Sequence, residues 1–164
     1  MDRFNRGMTP EASRVIAALR LEPLPDEGGF FRATWRSAGG SAILFLITDE
    51  DFSAFHRIAQ DELWHFHSGD PVEHVQLGAP GGEAKVVRLG ADVCAGEAVQ
   101  LAVPRGVWQG ARLAPAHGAP RRGYALLGCT VTPAWDERGF ELARRSALLA
   151  GHPAARAWIE ALTR

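Results

Sequence analysis

Between Phe30 and Val131 the chain breaks into short runs of alternating apolar and polar residues, and no helical period separates them. The runs cover 30–36, 41–48, 53–58, 62–67, 72–77, 84–89, 99–103, 107–113 and 124–131. Turn-forming clusters punctuate them: Gly39-Gly40, Asp49-Glu50-Asp51, Ser68-Gly69-Asp70-Pro71 and Gly78-Ala79-Pro80-Gly81-Gly82. Period-two runs closed by such residues are strands. Many short consecutive strands without crossover helices form an antiparallel sandwich or closed barrel. The expected fold class is all-β with flanking helices.

The flanks follow another period. Thr9-Pro10-Glu11 supplies a hydroxyl cap, a proline at the first helical position and an acid in the first turn. Ala12, Val15, Ile16 and Leu19 then fall at helical spacing, so a helix is expected over 9–21, stopped by Pro23 and Pro25. The tail from Phe140 to Arg164 turns helical again and is divided at Pro153. Residues 114–122, rich in proline, alanine and glycine, read as a long surface loop. A chain of 164 residues is one domain's worth and buries roughly 70% of its unfolded surface. The reading is therefore a single domain over 1–164, its barrel core over roughly 28–135.

Net charge is −1 and the basic residues are spread along the chain, which argues against nucleic-acid and acidic-membrane partners. Cys94 and Cys129 lie far apart without metal-ligand spacing, as in a reduced, cytoplasmic protein. The first residues show no secretion signal, and no run approaches ~20 apolar residues, so no membrane span is expected.

The stretch from Ala54 to Pro71 carries the chemistry. Three of the six histidines fall there (His56, His65 and His67), with Asp61-Glu62 between the first two. Alternate side chains of a strand share a face, so Glu62, Trp64 and Phe66 point together into the barrel and His65 and His67 point out. If Ala59-Gln60-Asp61 makes a hairpin, His56 faces Glu62 across it. An imidazole beside a carboxylate in an aromatic-walled cavity is a general acid/base arrangement. The competing account is a buried His–Glu pair that only shapes the barrel.

The order and spacing of His56, Glu62 and Gly69, then Pro104-Arg105-Gly106-Val107-Trp108-Gln109, resemble the two motifs of the cupin superfamily. More narrowly, the chain resembles the DUF985 (cupin-5) family of small proteins. The resemblance lies in Glu27-Gly28-Gly29-Phe30-Phe31-Arg32, His56-Arg57, 61–71, 103–109 and Gly128-Cys129-Thr130-Val131-Thr132-Pro133. It implies a double-stranded β-helix, or jelly roll, of the RmlC-like kind, most often a homodimer. It implies no settled activity. Mapped onto the family's metal ligands, the positions become Ala54, His56, Glu62 and Gln109, too few strong donors for a held ion. No metal and no other cofactor are expected. A divalent metal at His56, Glu62 and Gln109, or at His65 and His67 with His74, is the minor alternative.

Two functions remain open. One is a metal-independent isomerase or epimerase of a small polar metabolite such as a sugar derivative. There His56 is the general base, Glu62 orients it and Gln109 holds a carbonyl or hydroxyl. The other is a non-enzymatic small-molecule-binding module for storage or sensing. In either, Trp64 and Phe66 form walls, Arg32 and Arg57 are candidates for an anionic group, and Tyr124 for a proton donor. Cys129 is expected to be an inert buried thiol.

Overall fold

The computed structural model describes residues 8–115 and 120–164. Helix α1 (Pro10–Leu19) opens as expected: the Thr9 hydroxyl accepts a bond from the Ala12 N–H at 3.2 Å. It ends before the prolines, where Arg20 turns left-handed at φ 53° and its N–H bonds the last carbonyls. The strands are β1 (Glu22–Pro23), β2 (Phe30–Ser37), β3 (Gly40–Thr48), β4 (Ser53–Arg57), β5 (Asp61–Gly69), β6 (Val72–Leu77), β7 (Ala84–Leu89), β8 (Gln100–Val103), β9 (Trp108–Leu113), β10 (Tyr124–Thr132) and β11 (Glu141–Leu142). The tail is only partly helical. β11 takes its first residues, then α2 (Arg145–Gly151) and α3 (Arg156–Ala161) follow, parted at the expected proline. Of the expected 114–122 loop, 116–119 lie outside the described residues.

Two antiparallel sheets face each other. One runs β1-β2-β3-β10-β5-β8 and the other β11-β4-β9-β6-β7. The sequence reading pairs 53–58 with 62–67 as a hairpin, and the structure corrects this. β4 pairs with β9 and β11, whereas β5 pairs with β10 and β8. The segment 58–60 therefore crosses from one sheet to the other, and His56 and Glu62 approach from opposite walls.

Alternation sorts the side chains. Phe45, Ile47, Trp64, Leu127 and Cys129 point between the sheets and form the central core with Val72 and Leu89. Leu46 and Tyr124 point outward from the six-stranded sheet, where α1 covers them with Ala12. On the outside of the other sheet Phe55, Val75 and Leu77 pack against Leu148, Ile159 and Leu162 of the tail. Each sheet thus has a helical cover and a shared interior. No helix among the described residues is long and apolar enough to cross a membrane.

One turn is pinned by backbone demands. Gly69 sits at φ 104°, and a Cβ there would lie 2.2 Å from the Tyr124 carbonyl oxygen. Next to it, Asp70 accepts bonds from the N–H groups of Arg122 and Gly123 at 2.9 and 2.7 Å. The Ser68-to-Pro71 turn thereby anchors the chain as it enters β10.

Candidate functional site

A cavity of about 480 Å³ opens between the two sheets. Its walls are mainly aromatic: Phe31, Trp35, Phe45, Trp64, Trp135 and Phe140. His56, Glu27, Glu62 and Cys129 are the polar groups reaching its depth, while Asp26, Arg36 and Glu137 stand toward its mouth. A concave, mostly apolar space with a few convergent polar groups is what small-molecule sites share.

His56 is 3% exposed and stacks on Phe140 with ring centroids 5.5 Å apart. Its Nδ1 lies 2.9 Å from the Ala54 carbonyl oxygen. A carbonyl only accepts, so Nδ1 carries a proton, and the tautomer this contact selects has its lone pair on Nε2. That nitrogen has no hydrogen-bond partner among the described residues. The imidazole is a base held in one tautomer, oriented by Ala54 rather than by Glu62. Glu27 stands behind it, with Oε1 3.8 Å from Nδ1 and 2.9 Å from the Ser53 hydroxyl that donates to it.

Glu62 belongs to a second cluster. Its Oε2 accepts from the Gln109 amide nitrogen at 2.5 Å. The Gln109 oxygen in turn accepts from the Trp64 indole N–H at 3.0 Å and from His74 Nε2 at 3.2 Å. Trp64 can only donate, which fixes the amide orientation and leaves its NH₂ for Glu62. Burial raises the Glu62 carboxyl above its usual range; the nearby His56 opposes that rise and the Glu27 charge adds to it. Burial depresses His74 to about 3, so it is a neutral donor and nothing more near pH 7. The cavity therefore sets an imidazole from one sheet opposite a carboxyl from the other, whose proton affinity burial raises.

The structure brings together only part of the expected set. His56, Glu62 and Trp64 line the cavity. Gln109 is fully buried behind them and holds Glu62 in place, so it does not meet a ligand directly. Phe66 packs in the central core instead of on the cavity wall. Arg32 is exposed, and its neighbours Phe31 and Ala33 face inward. A bulge between Ala33 and Trp35 then shifts the facing so that Arg36 reaches the cavity rim. Arg57 lies over the Trp108 ring at 4.5 Å and pairs with Glu141 at 2.6 Å. Tyr124 is on the outward parity of β10, 2% exposed beneath α1, and cannot serve as the proton donor.

Burial pushes the Cys129 thiol well above its usual range, in line with the inert thiol the sequence leads one to expect, yet it lines the cavity. Sequence reading missed Glu27, Phe140, Trp135 and His74 as members of the site. Glu27 opens one of the motif stretches quoted above, which is the signal that could have found it. The others come from segments whose approach depends on tertiary packing.

The residues do not fit the metal of the wider superfamily. Ala54 has no donor side chain and the Gln109 amide is already bonded to Glu62, Trp64 and His74. One imidazole and one carboxyl remain, a poor set for a transition metal. His65 is no better: Gln100 donates to its Nδ1 at 2.9 Å and its Nε2 donates to the Thr130 hydroxyl at 3.2 Å. His74, the third ligand proposed for that face, lies in the interior against Trp64. Among the described residues no three His, Cys, Asp or Glu side chains gather as a ligand set.

Residues 13–143 match the model of a family described as cupin superfamily (DUF985). A crystal structure of a Shewanella oneidensis protein is 35% identical with a TM-score of 0.84, covering 95% of this chain and 99% of that one. A hypothetical protein from Leishmania major is 30% identical with a TM-score of 0.85, covering 93% and 98%. Oxalate decarboxylase from Bacillus subtilis is 11% identical with a TM-score of 0.57, covering 87% of this chain and 37% of that one, a likeness of fold alone. No curated protein matches the chain.

Proposed function

The chain belongs to the DUF985 family of the cupin superfamily, and from that premise we propose that it is a metal-independent isomerase or epimerase of a small polar metabolite such as a sugar derivative. The observation that carries this reading is the pairing across one cavity of His56, whose Nε2 lone pair is free, with Glu62, whose carboxyl is held toward its protonated form. Aromatic walls suit the apolar face of a sugar ring.

A ligand lying between the sheets meets the base on one side and the acid on the other. His56 Nε2 removes the proton from a carbon next to a carbonyl, and the electron pair moves into the carbonyl. Glu62 then delivers its proton to the opposite face of that carbon, which inverts its configuration. Alternatively it delivers the proton to the oxygen, which starts an isomerisation. Returning the proton from imidazolium to carboxylate through solvent closes the cycle without a redox change. Gln109 keeps Glu62 aimed into the cavity throughout.

The test is wash-in of solvent deuterium, using the intact protein in heavy water with a panel of aldoses, ketoses and amino sugars. Exchange at the carbon beside the carbonyl is expected, and His56→Asn should reduce its rate by about 10²-fold or more. An exchange rate unchanged in both His56→Asn and Glu62→Gln contradicts the proposal. Binding without exchange in the wild type points to the alternative, a cupin that holds its ligand for storage or sensing.

A further inference from the structure

The charge around the cavity narrows the class of ligand, an inference that rests on the cavity being the ligand site and not on turnover. Among the described residues that line it, four carboxyl groups (Asp26, Glu27, Glu62 and Glu137) accompany one guanidinium, Arg36. Arg36 is exposed at the rim and electrostatically close to Asp136, so its charge is partly answered already.

Glu27 is the informative group. Its side chain is 13% exposed, it accepts a neutral hydrogen bond from Ser53, and its nearest basic group is the His56 ring at 3.8 Å. Among the described residues no lysine or arginine pairs with it. A carboxylate this far from water with no fixed cation beside it is stabilised by whatever positive charge enters the cavity. Independently, the His56 ring is 3% exposed and lines the cavity, and among the described residues nothing hydrogen-bonds its Nε2, so a polar group on a ligand finds a partner there. The rings of Trp35, Trp135, Phe31 and Phe140 line the same space, and aromatic faces attract ammonium groups.

We propose that the cavity selects a metabolite bearing a protonated amine, with Glu27 as its counter-ion, and rejects phosphorylated and carboxylated ones. The rise of the Glu62 carboxyl and the Cys129 thiol, each driven first by burial and increased by the Glu27 charge, agrees with an interior that lacks positive charge. Within the proposed activity, the substrate is then an amino sugar or another amino-carbonyl compound, and nucleotide sugars are excluded by their phosphates.

The experiment uses three probes that share one ring and differ in charge: benzylammonium, benzyl alcohol and benzoate. Each is titrated into the intact protein while NMR shifts of the lining residues are followed. Benzylammonium is expected to bind about tenfold or more tighter than benzoate, since like-charge juxtaposition is penalised by at least that factor. Glu27→Gln should shrink this gap to about twofold and leave benzyl alcohol unchanged. Should that variant fail to fold, the exposed mouth pair Asp26→Asn with Glu137→Gln must narrow the gap as well. Benzoate binding as well as benzylammonium overturns the proposal. So do the absence of any shift at the lining residues and a preference that survives these substitutions. Deuterium exchange is read separately. Charge preference without exchange keeps this inference and removes the enzymatic one, and exchange without charge preference does the reverse.

Discussion

Gln109 shows how much one side chain organises here. Its fully buried amide joins Glu62 and Trp64 of β5 to His74 of β6, three groups from two strands. Gln109→Leu would keep the volume and leave the indole N–H, the imidazole N–H and the carboxyl without partners. Each buried polar group so orphaned costs about 1–3 kcal/mol. The variant should therefore lose about 3 kcal/mol or more, seen as a fall in the urea midpoint at an unchanged slope. Gln109→Glu, which keeps an oxygen for the two donors and sets a second carboxyl against Glu62, should raise the Glu62 carboxyl further. The sequence showed glutamine where the wider superfamily has a ligand histidine, and read it as a ligand contact. Its burial behind Glu62 depends on β9 lying beside β4 and β6 in the opposite sheet, which no local pattern announces.

At the scale of elements, the period-two runs predicted nearly every strand because each one has a core face and an outer face. β1 and β11, of two residues each, escaped notice because so short a pairing has no period to read. The 53–58 and 62–67 runs are both strands, but they belong to different sheets and do not pair with each other. A short link looks the same whether it turns a hairpin or crosses between sheets. Two tests belong here. Ile159 of α3 is fully buried against the five-stranded sheet. Ile159→Ala should cost about 2–5 kcal/mol by lost transfer energy and a residual cavity, which differential scanning calorimetry will show as a lowered Tm. Gly69→Ala meets the Tyr124 backbone and a left-handed φ together. It should destabilise the fold by about 2 kcal/mol or more, whereas an alanine at exposed Gly78, where nothing lies within 4 Å, should have little effect.

For the whole molecule, two buried titrations pull stability in opposite directions. His74 stays neutral in the fold down to about 3 but charges near 6.5 when the chain unfolds. Its contribution is complete above pH 6.5 and is lost as pH falls toward 3, by on the order of 5 kcal/mol. Glu62 is raised, so its contribution is complete below 4.5 and declines as pH climbs through its folded-state value. Urea midpoints measured from pH 4 to 8 should show the acid-side loss shrink in His74→Leu and the alkaline-side decline shrink in Glu62→Gln. Both effects arise because the two sheets exclude water from the space they share. The same exclusion makes that space suited to proton transfer.

The account depends most on a Glu62 carboxyl whose proton affinity is raised across the cavity from an imidazole nitrogen open to a ligand. The direct measurement is a ¹³C NMR titration of the Glu62 side chain in the intact protein, assigned by its absence in Glu62→Gln. The account predicts a midpoint above the ordinary 4.5 that falls in Glu27→Gln, where a neighbouring negative charge is removed. A Glu62 carboxyl that titrates at 4.5 or below would contradict it.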